Sequence, residues 1–173
     1  MKIAALLPHA EVFGGVRRYL EIGNEFSRRG YRFVLFLPEV IKPDWLTFEG
    51  TIKPFSSLSE ESFDIGLCSE YSVLPHFEKL EAEFKFFYFL LEGHKQEREV
   101  IRRNYSFLGN SEGMCRRIER KYKVPCSRAP GGVNTEFFHP EKREASKDEL
   151  RILCYGRLYK RRKGVRQVIR AVE

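Results

Sequence analysis

Short apolar runs alternate with segments of helical period through the first 130 residues, and this alternation limits the fold more than any other feature. Lys2 to Pro8, KIAALLP, shows no polar alternation, which suits a strand covered on both faces. His9 to Gly15 is a loop ending in Gly14-Gly15. From Val16 to Arg29 the spacing turns helical. Val16, Tyr19, Leu20, Gly23 and Phe26 share one side, with Arg17, Arg18, Glu21, Glu25 and Arg28 opposite. Gly30 is a natural helix stop, and Tyr31 to Pro38, YRFVLFLP, reads as a second buried strand. A strand–helix–strand unit of this kind is parallel and right-handed in nearly all cases.

The pattern then repeats. Thr51 to Phe55 and Asp64 to Cys68 read as short strands, Val73 to Glu83 as a helix, and Phe84 to Leu91 as the strongest strand. A polar helix is expected near Gln96 to Asn104 and a strand at Ser106 to Gly109. A helix N-capped by Ser111 should run to about Tyr122, followed by a last short strand at Ser127 to Ala129. Such an order predicts an α/β fold with a doubly wound, mostly parallel, Rossmann-like sheet over residues 1–133. Residues 134–149, polar and nearly free of aliphatics, read as a linker. Leu150 to Tyr155 reads as a new strand, Gly156 to Lys163 as a basic loop and Gly164 to Glu173 as a helix. Residues 150–173 are therefore expected to begin a second domain.

Composition narrows the function. The 173 residues are 42% hydrophobic and 14% aromatic, which argues for a packed core. The longest apolar run, Phe86 to Leu91, is far short of the roughly 18 residues of a membrane helix. The N-terminal apolar stretch Ile3 to Leu7 is too short for a signal peptide. A cytoplasmic location is therefore expected. Cys68, Cys115, Cys126 and Cys154 form no CxxC pair, so free thiols are expected. A zinc site from Cys115, Cys126 and His139 lacks the usual spacing. The net charge of +7 sits in the tail: residues 1–140 carry 20 basic and 19 acidic side chains, and residues 141–173 carry 11 and 5. Without a second basic face or an aromatic stacking motif, this tail argues against nucleic acid as a partner.

Two segments suit anions. Gly14-Gly15 joins a strand to a helix N-terminus, where unpaired N–H groups and the helix dipole attract negative charge. It is not G-x-G-x-x-G and no Walker pattern follows. The loop from Gly156 to Gly164 holds Arg157, able to fork two phosphate oxygens, and Lys163, a mobile point charge.

In order and spacing these segments resemble the retaining glycosyltransferases of family 4, the group 1 transferases with the GT-B fold. The resemblance covers nearly the whole chain. It is carried by the strand–Gly14-Gly15–helix opening, by Asn110-Ser111 before a helix, and by Pro130-Gly131-Gly132-Val133-Asn134 with Phe138 and Pro140. Gly156-Arg157-Leu158 with Lys163-Gly164 completes it. Gly131 and Asn134 depart from the family's asparagine and aspartate, and Lys95 stands where many members carry an acid. The family's paired donor-domain glutamates do not occur in these residues.

What the resemblance implies is transfer of a sugar from a nucleotide-sugar donor to an acceptor hydroxyl, with retention. Residues 1–133 would form the acceptor-side domain, and residues 150–173 the start of a truncated donor domain. The fragment alone is then expected to be inactive. Gly14 and Gly15 would face the donor's distal phosphate, Arg157 and Lys163 would grip the diphosphate, and no metal or other cofactor is required. His94 would match the active-site histidine, with Glu92 a second candidate. The acceptor would be a carbohydrate or a lipid-linked molecule, the latter met at the inner face of the membrane. A tail-mediated homodimer of the fragment is also expected, because the strand at 150–155 would otherwise lack a sheet. The alternative is a non-catalytic sugar- or nucleotide-binding α/β domain.

Overall fold

The computed structural model describes residues 1–141, 151–156 and 164–172. Two compact units emerge, Met1–Asn134 and Thr135–Glu173. The first is a seven-stranded, all-parallel sheet in the order β3-β2-β1-β4-β5-β6-β7. Its strands are β1 (Lys2–Leu6), β2 (Arg32–Leu37), β3 (Thr51–Pro54), β4 (Phe63–Cys68), β5 (Ala82–Phe89), β6 (Ser106–Gly109) and β7 (Ser127–Arg128). Its helices are α1 (Gly14–Arg28), α2 (Leu74–Lys79), α3 (Glu97–Ile101) and α4 (Glu112–Tyr122). The fold is the Rossmann-like, doubly wound α/β arrangement that the alternation predicted.

Alternate residues of β1 and β2 feed two cores. Ile3, Ala5, Leu7, Phe33, Leu35 and Leu37 pack with Val16, Tyr19 and Leu20 of α1 on one face. Ala4, Leu6, Val34 and Phe36 pack on the other, with Leu74 and Phe77 of α2, Val100 of α3, and Met114 and Ile118 of α4. Burial on both faces explains why these strands are apolar after their exposed first residues, Lys2 and Arg32. The winding reverses between β1 and β4. Loops leaving the carboxyl ends of those two strands diverge there, and this crevice is where open α/β sheets bind ligands.

Several expected boundaries shift. The helix expected to run to Glu83 ends at Lys79, because Leu80 turns to an extended conformation and Ala82 already pairs with Phe63. The polar helix shortens to Glu97–Ile101. The crossing from β2 to β3 contains no helix; Trp45, Leu46 and Phe48 of its loop pack on the α1 face instead. In the second unit, α5 spans Val165–Val172. Arg151 to Tyr155 is not a strand, contrary to expectation. A strand exists through its ladder, and no described strand pairs with this segment. Residues 134–141 of the expected linker form no helix or strand, and residues 142–149 lie outside the described residues. Cys68, Cys115 and Cys126 are buried free thiols, and Cys154 is an exposed one. No described helix is long and apolar enough to cross a membrane.

Candidate functional site

The site forms at the carboxyl edge of the sheet, where parallel strands deliver their following residues to one side. After β1 the chain carries His9 and then the start of α1. Phe13 at the N-cap has no side-chain cap, and the first turn has no acid, so the leading N–H groups face outward. A Cβ on Gly14 would meet nothing within 4 Å, and one on Gly15 only Leu90 Cδ1, at 3.6 Å. Neither glycine is demanded by packing. What they leave is a bare, positively polarised helix end with room above it. The Leu90 contact sets this end against the loop after β5.

That loop holds Glu92, Gly93 and His94. Gly93 has φ of +78°, a value that favours glycine, and it turns the chain sharply. His94 is exposed, and its ring stacks on Tyr71 with centroids 3.8 Å apart and planes 11° apart. Its Nδ1 accepts from the Gln96 N–H at 3.2 Å, which places the proton of the neutral ring on Nε2. His9 is arranged alike: its Nδ1 accepts from the Glu11 N–H at 3.3 Å. Glu92 is 73% exposed and pairs with Arg117 Nε at 3.4 Å.

The residues after β4 complete the cluster, and sequence reasoning missed them. Burial pushes the Glu70 carboxyl up, against the pull of His9 and His94. Glu70 makes no ion pair among the described residues. The Tyr71 hydroxyl is buried without a hydrogen-bond partner, as are the hydroxyls of Tyr19 and Ser69. Burial raises the Tyr19 phenol further, assisted by nearby Cys68 and Glu70. Ser69 lies close enough to oppose that rise, although no well-formed hydrogen bond joins the two hydroxyls. His9, Glu70 and His94 follow β1, β4 and β5, so all three leave the sheet at the same edge, where the winding reverses. Their signal in the sequence was position: each follows the end of a parallel strand.

Beneath the loop lies a second missed feature. Glu97, 1% exposed, accepts from the Gly93 N–H at 2.8 Å, Tyr122 Oη at 2.7 Å and Lys121 Nζ at 3.2 Å. Arg117 reaches both of its oxygens, at 2.5 and 3.1 Å. Burial alone would raise the Glu97 pKa. The hydrogen bonds from Arg117, Tyr122, Gly93 and Lys121 outweigh it and hold the value at about 2. This anchor fixes the turn that carries His94.

The quoted motifs acquire structural roles. Asn110 Nδ2 donates to the Leu90 carbonyl at 3.0 Å, and Ser111 Oγ caps α4 by accepting from Met114 N–H at 3.2 Å. Arg18 donates to the Tyr88 hydroxyl, which donates to the Ala129 carbonyl. A Cβ on Gly131 would lie 2.0 Å from Arg18 Nη2, so glycine lets the backbone pass without displacing this guanidinium. Arg157 and Lys163 lie outside the described residues. Among those residues, no three His, Cys, Asp or Glu side chains are grouped to hold a metal ion. A search of protein-family models finds no match to the chain, and a search of curated proteins finds none either.

Proposed function

We propose that this chain is the acceptor-side part of a retaining glycosyltransferase, moving a sugar from a nucleotide-sugar donor to an acceptor hydroxyl. One observation carries the reading: the bare N-terminus of α1 lies against the loop of His94, at the sheet edge where the winding reverses. In this reading the distal phosphate of the donor sits on the N–H groups of Gly14 and Gly15. Charge that develops on the departing nucleoside diphosphate meets fixed dipoles there. Arg157 and Lys163, outside the described residues, are the cations that the sequence motif assigns to the diphosphate. His94 offers its Nε2–H to the transferred sugar, with its ring held by Tyr71 and its turn held by Glu97. Glu70 accepts a hydrogen bond from the attacking hydroxyl. The sequence motifs support the same reading.

The test is a donor screen on the complete natural protein, reading released nucleoside diphosphate together with glycosylated acceptor. Transfer with retention is expected for one nucleotide sugar. His94→Ala should lower kcat by about 100-fold, the scale of a positioned polar group in a transition state, with donor affinity changed much less. Leucine at position 15 should impair donor binding without unfolding the domain, since its side chain enters the space above the helix end. Donor binding with no turnover by any nucleotide sugar would refute the enzyme and favour a binding module.

A further inference from the structure

A cavity of about 420 Å³ opens beside the cluster, between the β1–α1 loop and the loop after β2. Its volume lies in the range of small-molecule sites. Pro8, Ala10, Leu37, Pro38, Pro43 and Trp45 give it an apolar lining. Val12 and Ile41 also line it, 71% and 59% exposed, so apolar side chains stand uncovered around an apolar hollow. The wall is held in place before any ligand arrives. Trp45 Nε1 donates to the Ala10 carbonyl at 2.9 Å. Asn24, buried on α1, donates to the Thr47 carbonyl and accepts from the Glu49 N–H, both at 2.7 Å.

Charge at the rim selects the occupant. Glu11, Glu39 and Asp44 line the cavity against the single ammonium of Lys42, and none of the four is in an ion pair among the described residues. The rim is therefore net negative, which repels an anionic headgroup or an anionic bilayer and tolerates a neutral or cationic molecule. His9, which follows β1, also lines the cavity, so the hollow reaches the sheet edge at which the candidate site lies.

We propose that this cavity holds the apolar body of a neutral or cationic alicyclic or aromatic alcohol, with its hydroxyl directed toward His9. That this alcohol is the acceptor rests on the glycosyl-transfer reading; that it binds does not. The chain thereby selects a compact apolar acceptor over a polar sugar or an anionic lipid.

Trp45 is the single tryptophan in the 173 residues and lines the cavity, so its emission reports on occupancy. Three probes share one body: 1-adamantanol, 1-adamantanamine and 1-adamantanecarboxylate. At pH 7 the alcohol and the amine should shift Trp45 emission and saturate. The carboxylate should bind roughly tenfold more weakly, or less tightly still, because it meets like charge. Replacing Glu39 and Asp44 together by lysine should invert the order of amine and carboxylate while the alcohol keeps its affinity. Ile41→Asp, at an exposed position, should abolish all three responses without unfolding. The proposal is overturned if no probe responds, if Ile41→Asp responds like the parent, or if the carboxylate binds as tightly as the amine. A response to phosphatidylcholine vesicles with none to the soluble probes would also overturn it, in favour of a bilayer. Transfer to wholly polar acceptors without probe binding would sink this inference alone. Probe binding without transfer to any acceptor would sink the transferase reading alone.

Discussion

Replacing Glu97 by glutamine tests the anchor beneath the His94 turn. The side chain keeps its shape and loses its charge. Arg117, 17% exposed, then keeps only the exposed Glu92, 3.4 Å from its Nε, as an opposite charge, whereas Lys121, 47% exposed, can swing into water. Two estimates of the cost agree. The fall of the Glu97 pKa from 4.5 to about 2 corresponds to about 3 kcal/mol, at roughly 1.4 kcal/mol per pKa unit. Removing one partner of a buried ion pair costs about 3–5 kcal/mol in general. We expect about 3 kcal/mol, near the lower bound because Lys121 is free to rehydrate. Urea denaturation of parent and variant at pH 7 measures it. The pH dependence follows from the direction of the shift. A carboxylate whose folded pKa lies below its unfolded one contributes fully above about pH 4.5. It loses that contribution as the pH falls toward 2. The gap between parent and Glu97→Gln should therefore close across this window. Hydrogen exchange should also show the Gly93 amide less protected in the variant. A gap below about 1 kcal/mol at pH 7, or one that persists unchanged down to pH 2, would refute the reasoning.

Two further substitutions probe how the motifs are held. Ser111→Ala removes the oxygen that accepts from Met114 N–H and should cost about 1 kcal/mol in urea or thermal unfolding. Alanine at two glycines should have unequal costs. At Gly66 the new Cβ lies 2.8 Å from Leu80 Cδ2 and 3.1 Å from the Phe77 ring, inside the core, and overpacking should cost about 1–3 kcal/mol by denaturation. At Gly131 the obstacle is the flexible end of Arg18, so stability should change by less than about 1 kcal/mol while a crystal structure shows the guanidinium displaced from Tyr88.

The sequence by itself determined the layers. Ile3 to Leu7 and Phe33 to Leu37 are apolar at every position because helices cover both faces of their sheet, and that pattern is local and legible. The amphipathic period of α1 and the cap at Ser111 were equally readable, since each depends on neighbours within a turn or two. Where β5 begins was not: residues 80–83 suit a helix as well as a strand, and pairing of Ala82 with Phe63 decided it. The site followed the same division. Gly14, Gly15 and His94 stood out as motif positions, but His9 and Glu70 carry no local pattern. Only the strand order, with β4 placed beside β1, brings the residues after β1, β4 and β5 to one crevice. Glu97 marks the limit most clearly. Beside Arg98 and Glu99 it reads as part of a solvated face. It is buried because Arg117, Lys121 and Tyr122 reach it from α4, 20 to 25 residues later. A charge enters a protein interior only where opposite charges and donors already converge, and that convergence belongs to the tertiary structure.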